Sequence, residues 1–519
     1  MSTIETKKIK KKFNTAGLCF PGKHYMIDPI KRLNKVERLI EDELYFTLHA
    51  PRQTGKTTYL HALTKKLNSE GKYIALVVSF EQAGYDSITV ERANEVLVDC
   101  IYRAALRQLP PNETPKKPEN VMSIQNYLED WASSQEKPIV LLIDEIDALM
   151  DNVLISMLRQ FRDGYQSRPR NFPSSIVLVG LRDVRDYKVK IREELQSYGT
   201  ASPFNIKSDS LVLKNFSRDD VFELLEQHTQ ETGQVFPGEV KEQIFHLSKG
   251  QPWLVNALAR QTVSEILEDD YSREITPEIL IEAKRELILR RDTHLDSLSE
   301  KLREPRVKKL IQAIVNGDNM PLDIYNDDVA YVRDLGIVGL SDPLEFANPI
   351  YAEFIPRMMA YTIQVSIPKE IQPPFFINPD GTLNMEKLLK EFQAFYRRNS
   401  EFWLDRFEYK ESAHHLLLMA FLQRVINSGG EVTREMAIGN RRIDLSVTFR
   451  GQEFALELKI KRDKDTIEDG KVQLDAYLDK LGLNEGYLVI FDPGAGDWET
   501  KLFYKDIHYN GKKIIMVGL

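Results

Sequence analysis

The sequence contains few cysteines and no long apolar segment. Its two cysteines, Cys19 and Cys100, are too few to form a zinc site by themselves, and they fit a reducing compartment. The longest apolar runs, such as residues 74–78, have the length of strands and fall far short of the roughly 20 residues that a membrane span requires. We therefore expect a cytoplasmic protein that does not bind membranes.

A net basic charge is also missing. The formal charge is −8, which gives no global signal for nucleic acid, although a local basic groove would still suffice for binding. The N-terminus is locally basic over residues 7–13, but no apolar segment follows, so it is not a secretory signal. We predict a flexible, solvated tail over residues 1–17 in preference to a nucleic-acid-binding arm.

The first half of the chain alternates between apolar strands and helical patterns. Such strands are buried on both faces, which predicts a parallel sheet covered by helices on both sides. Gly71 is expected to end the helix that follows the first strand. The predicted strands cover residues 44–50, 73–80, 138–145, 174–181 and 209–216.

A phosphate-binding loop is predicted between the first strand and the next helix, in the sequence APRQTGKTT at residues 50–58. Gly55 allows the backbone to approach phosphates, Lys56 can reach the β- and γ-phosphates, and Thr57 offers a hydroxyl to Mg²⁺. Ala50 stands where such loops usually begin with glycine, which weakens the pattern but leaves its chemistry possible. The predicted ATP-binding residues of the loop are Pro51, Arg52, Gln53, Thr54, Gly55, Lys56, Thr57 and Thr58.

Two acidic residues follow an apolar strand in the sequence IVLLIDEID at residues 139–147. Asp144 suits a role at Mg²⁺, and Glu145 suits polarisation of the attacking water. An acidic pair at this place can also be a strand end that meets solvent. The glycine-lysine-threonine loop about 90 residues earlier favours the nucleotide site.

These motifs, together with KGQPWLVNALA at residues 249–259, resemble those of AAA-like and STAND-like P-loop ATPases over residues 18–357. The resemblance implies ATP and Mg²⁺ as cofactors, Pro252 near the base, and a winged helix after the ATPase. An arginine that acts on a neighbouring subunit's nucleotide would be Arg182 or Arg159, and either can equally be an ordinary surface residue. We include Arg182 among the predicted cofactor-binding residues.

The fold class predicted for the whole chain is multidomain α/β. Ser217 and Asp220 form a capping box that should open the first helix after the ATPase core. The predicted order is a tail (1–17), a P-loop ATPase core with a parallel sheet (18–216), a helical lid (217–294), a winged-helix-like domain (295–357), a proline-containing linker (358–383) and a second α/β domain (384–519).

Two stretches in the last domain alternate between apolar and polar residues, as is typical of half-buried strands. They are RIDLSVTF at residues 442–449 and QEFALELKI at residues 452–460. The turn between them is expected at residues 450–451.

This hairpin predicts that two acids face each other. If Phe449 pairs with Gln452, then Asp444 pairs with Glu457, with Cβ atoms about 4.5–5.5 Å apart. Lys459 would lie on the same face, two residues further along.

Like charges in such a position destabilise a sheet unless a cation compensates them. A divalent metal can do so and also lowers the pKa of a bound water, while the lysine can position that water or stabilise the charge that grows on phosphorus. Carboxylate and carbonyl oxygens suit Mg²⁺ or Mn²⁺ and not zinc. The alternative is an exposed hairpin face of mixed charge, because short patterns of this kind are common.

At these residues the chain resembles the PD-(D/E)xK nuclease superfamily over residues 385–519. Asp444 matches the first acid, and residues 457–459 match the E-x-K sequence. The resemblance implies a restriction-endonuclease-like fold, metal binding by the backbone carbonyl of Leu458, and a catalytic role for Gln473. The usual proline or glycine before the first acid is replaced by isoleucine.

The two resemblances together predict an ATP-driven switch that controls metal-dependent cleavage of DNA. We expect a homo-oligomer that acts on DNA, in defence against phage or other mobile DNA. The alternative is an ATP-dependent sensor whose C-terminal domain binds DNA without cutting it. In a third interpretation, nucleotide binding is structural and involves no hydrolysis.

Overall fold

The computed structural model describes residues 10–84, 88–119, 121–149, 151–182, 206–290, 293–316, 322–323, 326–366, 376–406, 413–426, 430–433, 445–461, 465–494 and 497–519. The chain divides into two compact units. One comprises Met1–Arg290 with Arg333–Gly336, and the other comprises Arg291–Val332 with Ile337–Leu519.

The first unit alternates between strands and helices before it becomes entirely helical. Its elements are α1 (Lys35–Glu41), β1 (Tyr45–His49), α2 (Lys56–Glu70), β2 (Ile74–Ser79), α3 (Val90–Gln108), α4 (Ile124–Ser133), β3 (Ile139–Asp144), α5 (Asp151–Gly164), β4 (Ser175–Gly180), β5 (Lys207–Val212), α6 (Arg218–Thr232), α7 (Gly238–Ser248), α8 (Pro252–Arg260) and α9 (Pro277–Arg290). Gly71 ends α2 in a left-handed conformation with φ 73°, as predicted.

The five strands of this unit form one sheet in the order β2-β3-β4-β1-β5. Every neighbouring pair is parallel, which confirms the predicted parallel sheet. Alternate side chains of each strand enter opposite cores: Leu141 and Ile143 pack into the core with α3, α4 and α5, whereas Val140 and Leu142 pack into the core with α1 and α2. This two-sided burial is why β3 is apolar from Ile139 to Ile143, whereas the edge strand β5 is partly exposed and carries Lys207 and Asp209.

The sheet brings the predicted nucleotide-binding residues to one edge. β4 lies between β1 and β3, so the carboxyl ends of these three strands are adjacent. In sheets of this kind ligands bind at the carboxyl ends of the strands. The loop after β1 and the acids at the end of β3 therefore belong to one site.

The helical part of the unit starts with the predicted capping box. The Ser217 side chain accepts a hydrogen bond from the backbone N–H of Asp220, and the Asp220 side chain accepts one from Ser217. Before α8, Gly250 adopts φ 72° and approaches the backbone of Phe216 so closely that a Cβ atom would lie 1.9 Å from the Phe216 carbonyl oxygen. The Phe216 N–H donates to the Gly250 carbonyl at 2.8 Å.

We predict that Gly250→Ala destabilises the first unit far more than Gly233→Ala. Gly233 ends α6 with φ 80° and has open space around a Cβ atom, so alanine there should cost about 1 kcal/mol for the left-handed backbone alone. Gly250→Ala adds a clash with the backbone, so we expect a loss of about 3 kcal/mol or more. Urea unfolding of both variants measures the difference, and equal losses would contradict the prediction.

The N-terminal tail predicted for residues 1–17 is too long. Residues 1–9 lie outside the described part, but within residues 10–17 the side chain of Phe13 and the backbone of Thr15 contact the rest of the first unit. Phe13 is only 4% exposed, and the Thr15 carbonyl accepts a hydrogen bond from the indole N–H of Trp253 at 2.9 Å. The basic pattern concealed this packing because the apolar anchor is a single phenylalanine.

The remaining elements are α10 (Thr293–Lys301), α11 (Pro305–Asn316), α12 (Asp327–Asp334), α13 (Pro349–Ser366), α14 (Met385–Arg406), α15 (Ala413–Ile426), β6 (Gly430–Thr433), β7 (Leu445–Phe449), β8 (Gln452–Ile460), α16 (Thr466–Leu481), β9 (Glu485–Phe491), α17 (Trp498–Lys501), β10 (Phe503–Tyr509) and β11 (Lys512–Gly518). An antiparallel bridge joins Val338 and Phe346 in the region predicted to be winged-helix-like. α13 continues to Ser366, so the predicted linker from residue 358 begins inside a helix.

None of the described helices has the length and apolar character needed to cross a bilayer.

The second unit contains a six-stranded mixed sheet in the order β10-β11-β9-β8-β7-β6. β6, β7 and β8 are antiparallel neighbours, whereas β9 is parallel to both β8 and β11. β6 and the hairpin of β10 and β11 were not predicted from the sequence. β6 is short, and β10 mixes charged and apolar residues along an edge, so neither has a regular apolar pattern.

β7 and β8 are more deeply buried than the predicted half-buried strands. Ser446 and Glu457 on the polar face are each only 1% exposed. The reason is that α16 packs against β8 and covers this face. Towards the turn the face is open, since Glu453 is exposed.

Candidate functional site

The loop after β1 has the backbone conformation of a phosphate-binding loop. Gln53 and Gly55 both adopt left-handed conformations, with φ 56° and φ 88°. The Thr54 hydroxyl donates to the Pro51 carbonyl at 2.8 Å and holds the turn closed. Gly55 directly precedes α2, so the loop delivers backbone N–H groups at a helix N-terminus, where phosphates bind.

A cavity of about 660 Å³ opens at this loop. This size is typical of sites for small molecules and cofactors. Its polar lining comes from the loop, from α2 and from the ends of β3 and β4, and includes Arg52, Gln53, Gly55, Lys56, Thr57, Thr58, Asp144, Glu145, Asp147 and Gly180. The N-terminal segment and the helical part contribute a mainly apolar lining, including Leu18, Tyr25, Met26, Ile27, Leu224, Pro252 and Trp253.

Lys56 lies inside the loop and is held by its backbone. Its Nζ donates to the carbonyl oxygens of Ala50 at 2.7 Å and Pro51 at 2.9 Å. Burial lowers the pKa of Lys56 to about 8, while the carboxylates of Asp144 and Asp147 oppose this shift. A bound triphosphate would favour the charged ammonium form.

The pKa of Lys56 predicts that ATP affinity depends on pH. In the free protein the ammonium group loses its proton as the pH rises through about 8, and phosphate binding must then restore that proton. We expect the dissociation constant for ATP to be constant below the pKa and to rise up to about tenfold per pH unit above it. Calorimetric titration between about pH 7 and about pH 9.5 measures this, with circular dichroism as the control for folding. A constant affinity over this range would contradict the prediction.

The acids after β3 lie next to the loop. Asp144 is 4% exposed, its Oδ2 accepts a hydrogen bond from the Thr57 hydroxyl at 2.8 Å, and burial raises its pKa. A hydroxyl and a carboxylate side by side are the oxygen ligands that Mg²⁺ prefers, so these two residues fit a magnesium ion bound with a nucleotide.

Glu145 is exposed and follows with a left-handed backbone at φ 58°. Its Oε2 accepts a hydrogen bond from the hydroxyl of Ser79, at the end of β2, at 2.7 Å. The carboxylate therefore points into the same edge of the sheet as the loop, and both predicted acids lie in the cavity wall.

Arg32 is a part of this site that was not predicted from the sequence. Its Nη1 donates to the carbonyl of Thr54 in the loop at 2.9 Å, and its guanidinium lies 4.9 Å from the ring centroid of Phe216. Nη2 donates to the carbonyl of Lys214. Arg32 thus fastens the loop to the segment that leads into α6. No motif marks it, because its partners are backbone carbonyls and a distant ring.

Of the other predicted nucleotide-binding residues, only Pro252 lies in the described wall of the cavity. Pro252 lies in the cavity wall, at the first position of α8. Arg182 follows the lining residue Leu181, but neither Arg182 nor Arg159 occurs among the described residues of the wall. The assignment of an arginine that acts on a neighbouring subunit stays a prediction.

The predicted site of the second unit is partly described. β7 and β8 have the predicted register, with Phe449 opposite Gln452 and Leu445 opposite Leu456, and the turn is at residues 450–451. Asp444, the predicted first metal ligand, lies outside the described residues.

The described residues of this site form a tight cluster. Lys459 Nζ lies 2.8 Å from Glu457 Oε1 and donates to Gln473 Oε1 at 2.5 Å. Leu458 lies between the two charged residues on β8, with its side chain on the opposite face, and is 3% exposed. The predicted Glu457, Lys459 and Gln473 are thus brought together, and the ammonium group neutralises a carboxylate that burial would otherwise penalise.

Gly470 explains how α16 reaches this cluster. A Cβ atom at Gly470 would lie 2.7 Å from Leu488 Cδ1 and 3.2 Å from Lys459 Cγ. The glycine therefore allows α16 to approach β8 closely, which places Gln473, one turn later, beside Lys459. The role of this glycine was not predicted from the sequence.

The solved structures named here share little sequence with this chain. No curated protein matches the chain. Similar solved structures include a Walker-type ATPase of Pyrococcus abyssi (16% identity, 65% of this chain and 98% of that chain, TM-score 0.46), Cdc6p of Pyrobaculum aerophilum (12%, 62% and 82%, 0.35) and RuvB of Thermotoga maritima (16%, 66% and 95%, 0.33).

Two family models match the chain. Residues 385–495 match a domain of unknown function. Residues 24–355, which are more than half of the chain and include the loop, both acids and Pro252, match the model of the AAA-like domain. The chain therefore belongs to the AAA-like domain family and contains a P-loop domain of the ATPase type.

Proposed function

We propose that the protein is an ATP-hydrolysing switch that controls a metal-dependent DNA nuclease. The loop site would bind and hydrolyse ATP, and the cluster of Glu457, Lys459 and Gln473 would cut the phosphodiester backbone. By analogy with switch-type ATPases, the protein would assemble into homo-oligomers and act against phage or other mobile DNA.

The ATPase half rests on the geometry of the loop. Lys56 and the backbone of the loop would hold the phosphates, while Thr57 and Asp144 would hold Mg²⁺. The metal would neutralise charge on the β- and γ-phosphates. The carboxylate of Glu145 would accept a proton from the attacking water and direct that water at the γ-phosphate.

The nuclease half rests on the cluster and on the topology around it. The order α15, antiparallel β6 to β8, α16 and then β9 parallel to β8 supports the proposal, because it places the helix of Gln473 directly after the strand of Glu457 and Lys459. The acid predicted to face Glu457 is Asp444, one residue before the described part of β7. Asp444, Glu457 and the Leu458 carbonyl would hold Mg²⁺ or Mn²⁺, which supplies charge neutralisation and an acidic bound water.

The single observation that carries the nuclease proposal is the 2.5 Å hydrogen bond from Lys459 Nζ to Gln473 Oε1, beside a carboxylate that is 1% exposed. Buried charged groups are rare unless they are paired or functional. In this cluster Gln473 would fix the ammonium group towards a scissile phosphate, and Lys459 would stabilise the charge that develops on phosphorus.

The direct test is incubation of the purified protein with plasmid DNA, ATP and Mg²⁺ or Mn²⁺, followed by gel electrophoresis. We expect cleavage that requires the divalent metal, changes with ATP, and disappears in Asp444→Ala. Absence of cleavage under all these conditions, with ATP hydrolysis intact, would contradict the nuclease half alone.

A second candidate is an ATP-dependent sensor whose C-terminal domain binds DNA without cutting it. The ion pair between Lys459 and Glu457 favours it, because the ammonium group already neutralises the buried carboxylate without a metal. In that case plasmid would be shifted on a gel by the protein but never cut, and Asp444→Ala would behave like the unchanged protein.

A further inference from the structure

Arg52 is a cation in the wall of the nucleotide cavity that the fold itself does not use. It belongs to the phosphate-binding loop and is exposed. Within the described ranges of the chain, no residue forms a hydrogen bond or an ion pair with its side chain. The other arginine of the wall, Arg32, is held by backbone carbonyls. The guanidinium group of Arg52 is therefore available to a ligand in the cavity.

The charge of Arg52 acts on both sides of the site. The pKa of Lys56, which burial lowers, is lowered further by Arg52. The pKa of Glu81 is raised, chiefly by the negative charge of Glu145, and Arg52 opposes that rise. Glu81 lies beside Glu145 because its N–H donates at 3.2 Å to the Ser79 hydroxyl, which in turn donates to Glu145. Arg52 thus lies near the lysine and near the two glutamates.

In the proposed ATP complex this is the region of the γ-phosphate. Lys56 would bind that phosphate from the loop, and Glu145 would direct the attacking water at it from the end of β3. A cation close to both residues is close to the phosphorus atom between them. The backbone of the loop, with φ 56° at Gln53 and φ 88° at Gly55, determines where the side chain of Arg52 starts, so no neighbouring subunit is needed to bring it there.

We propose that Arg52 contacts the γ-phosphate of the nucleotide bound in its own chain and stabilises the transition state of hydrolysis. As the water oxygen bonds to the γ-phosphorus, the bond from that phosphorus to the bridging oxygen breaks, and its electron pair stays on ADP. The proton of the water goes to Glu145, whereas Arg52 transfers none. Its guanidinium group stays charged and donates hydrogen bonds to the phosphate oxygens, where negative charge accumulates.

This inference rests on the proposed hydrolysis of ATP, and Arg52→Gln tests it. We expect the rate of hydrolysis to fall by at least about 100-fold, because an arginine at the transferred phosphate has large effects on the rate. The affinity for ADP should stay within about twofold, since ADP lacks the γ-phosphate. The affinity for ADP with aluminium fluoride, which imitates the transferred phosphoryl group, should fall with the rate. A role in folding alone would not separate these two affinities.

Two further variants complete the comparison. Arg52→Lys keeps the charge but loses the planar fork of donors, so it should recover part of the lost rate. Arg170→Gln is the matched control: Arg170 is exposed and precedes β4, at the opposite end of the strand whose carboxyl end lines the cavity. Its rate should stay within about twofold of that of the unchanged protein.

The outcomes separate this inference from the proposed function. No hydrolysis by the unchanged protein would refute the ATPase proposal and the role of Arg52 together. Hydrolysis that continues at the normal rate in Arg52→Gln would refute the role of Arg52 alone. An equal loss of affinity for ADP and for its aluminium fluoride complex would also refute it, because Arg52 would then act on binding and not on the transition state.

Mixing two variants tests whether the arginine acts within its own chain. Arg52→Gln and Lys56→Ala carry different tags, and their joint purification shows that mixed assemblies form. If Arg52 serves its own site, the mixture hydrolyses no more ATP than the two proteins measured separately. Recovered hydrolysis would mean that the Lys56→Ala subunit supplies its arginine to a neighbour, which would refute the proposal. For a protein that stays monomeric, the loss in Arg52→Gln suffices.

Discussion

Glu145→Gln is expected to lower the rate of ATP hydrolysis by about 100- to 1000-fold while ATP binding is retained. Glutamine has the same shape as glutamate but cannot accept a proton from water. Glu145 lies in the cavity wall beside Asp144, whose Oδ1 accepts a hydrogen bond from the Glu145 N–H at 3.0 Å. The carboxylate is exposed in the free protein, so its replacement should not disturb packing. Phosphate release gives the rate, and calorimetric titration gives the affinity.

Glu136→Gln is the matched control for this experiment. Glu136 is exposed and precedes β3, at the opposite end of the strand that leads to Glu145. The same change of charge there should leave the rate of hydrolysis within about twofold, because exposed substitutions far from the site have small effects. Unchanged hydrolysis in Glu145→Gln would exclude this residue as the base, whereas ATP binding without hydrolysis in the unchanged protein would favour a structural role for the nucleotide.

The second large effect, on plasmid cleavage, is expected from substitutions in the cluster of Glu457, Lys459 and Gln473. Glu457→Gln and Lys459→Met should each lower metal-dependent plasmid cleavage by at least about 100-fold, while ATP hydrolysis continues. Each variant removes one partner of an ion pair whose carboxylate is 1% exposed. Breaking such a pair also costs about 3 kcal/mol or more in stability, so the unfolding of each variant must be measured alongside cleavage.

Glu453→Gln separates the chemistry from the general charge of the strand. Glu453 lies on the same face of β8 as Glu457, but it is exposed near the turn. We expect normal cleavage and normal stability from this variant. Equal cleavage by all four proteins would show that any cutting activity has another origin, whereas a loss that follows unfolding alone would indicate a structural ion pair.

The nucleotide site was predictable from the sequence because each of its motifs is a short run of neighbouring residues. The strands are apolar on both faces, which requires a parallel sheet, and the carboxyl ends of parallel strands meet at one edge. Asp144 and Thr57 are far apart in sequence, yet both are expected at this edge because each lies at or after the carboxyl end of a strand of the parallel sheet. Arg32 and Ser79 were not predictable, because their roles depend on contacts with the backbone of Thr54 and with a carboxylate on another strand.

In the second unit, too, contacts between residues that are far apart in sequence were not predictable. The register of β7 and β8 followed from the two-residue period and the position of the turn, both of which are local. The burial of Glu457 did not, because it depends on the approach of α16, which Gly470 permits. The edge strand β10 has no regular alternation, so only its pairing with β11 identifies it as a strand.

The packing of residues 10–17 has a consequence for the synthesis of the protein. The Thr15 carbonyl and the Trp253 indole that it contacts are 238 residues apart, so the N-terminal segment leaves the ribosome long before its partner exists. At typical translation rates that delay is roughly 10 to 50 seconds. Until α8 has emerged, the newly made chain lacks the part of the cavity wall that contains Pro252 and Trp253, so we expect ATP to stabilise the nascent protein fully only late in translation.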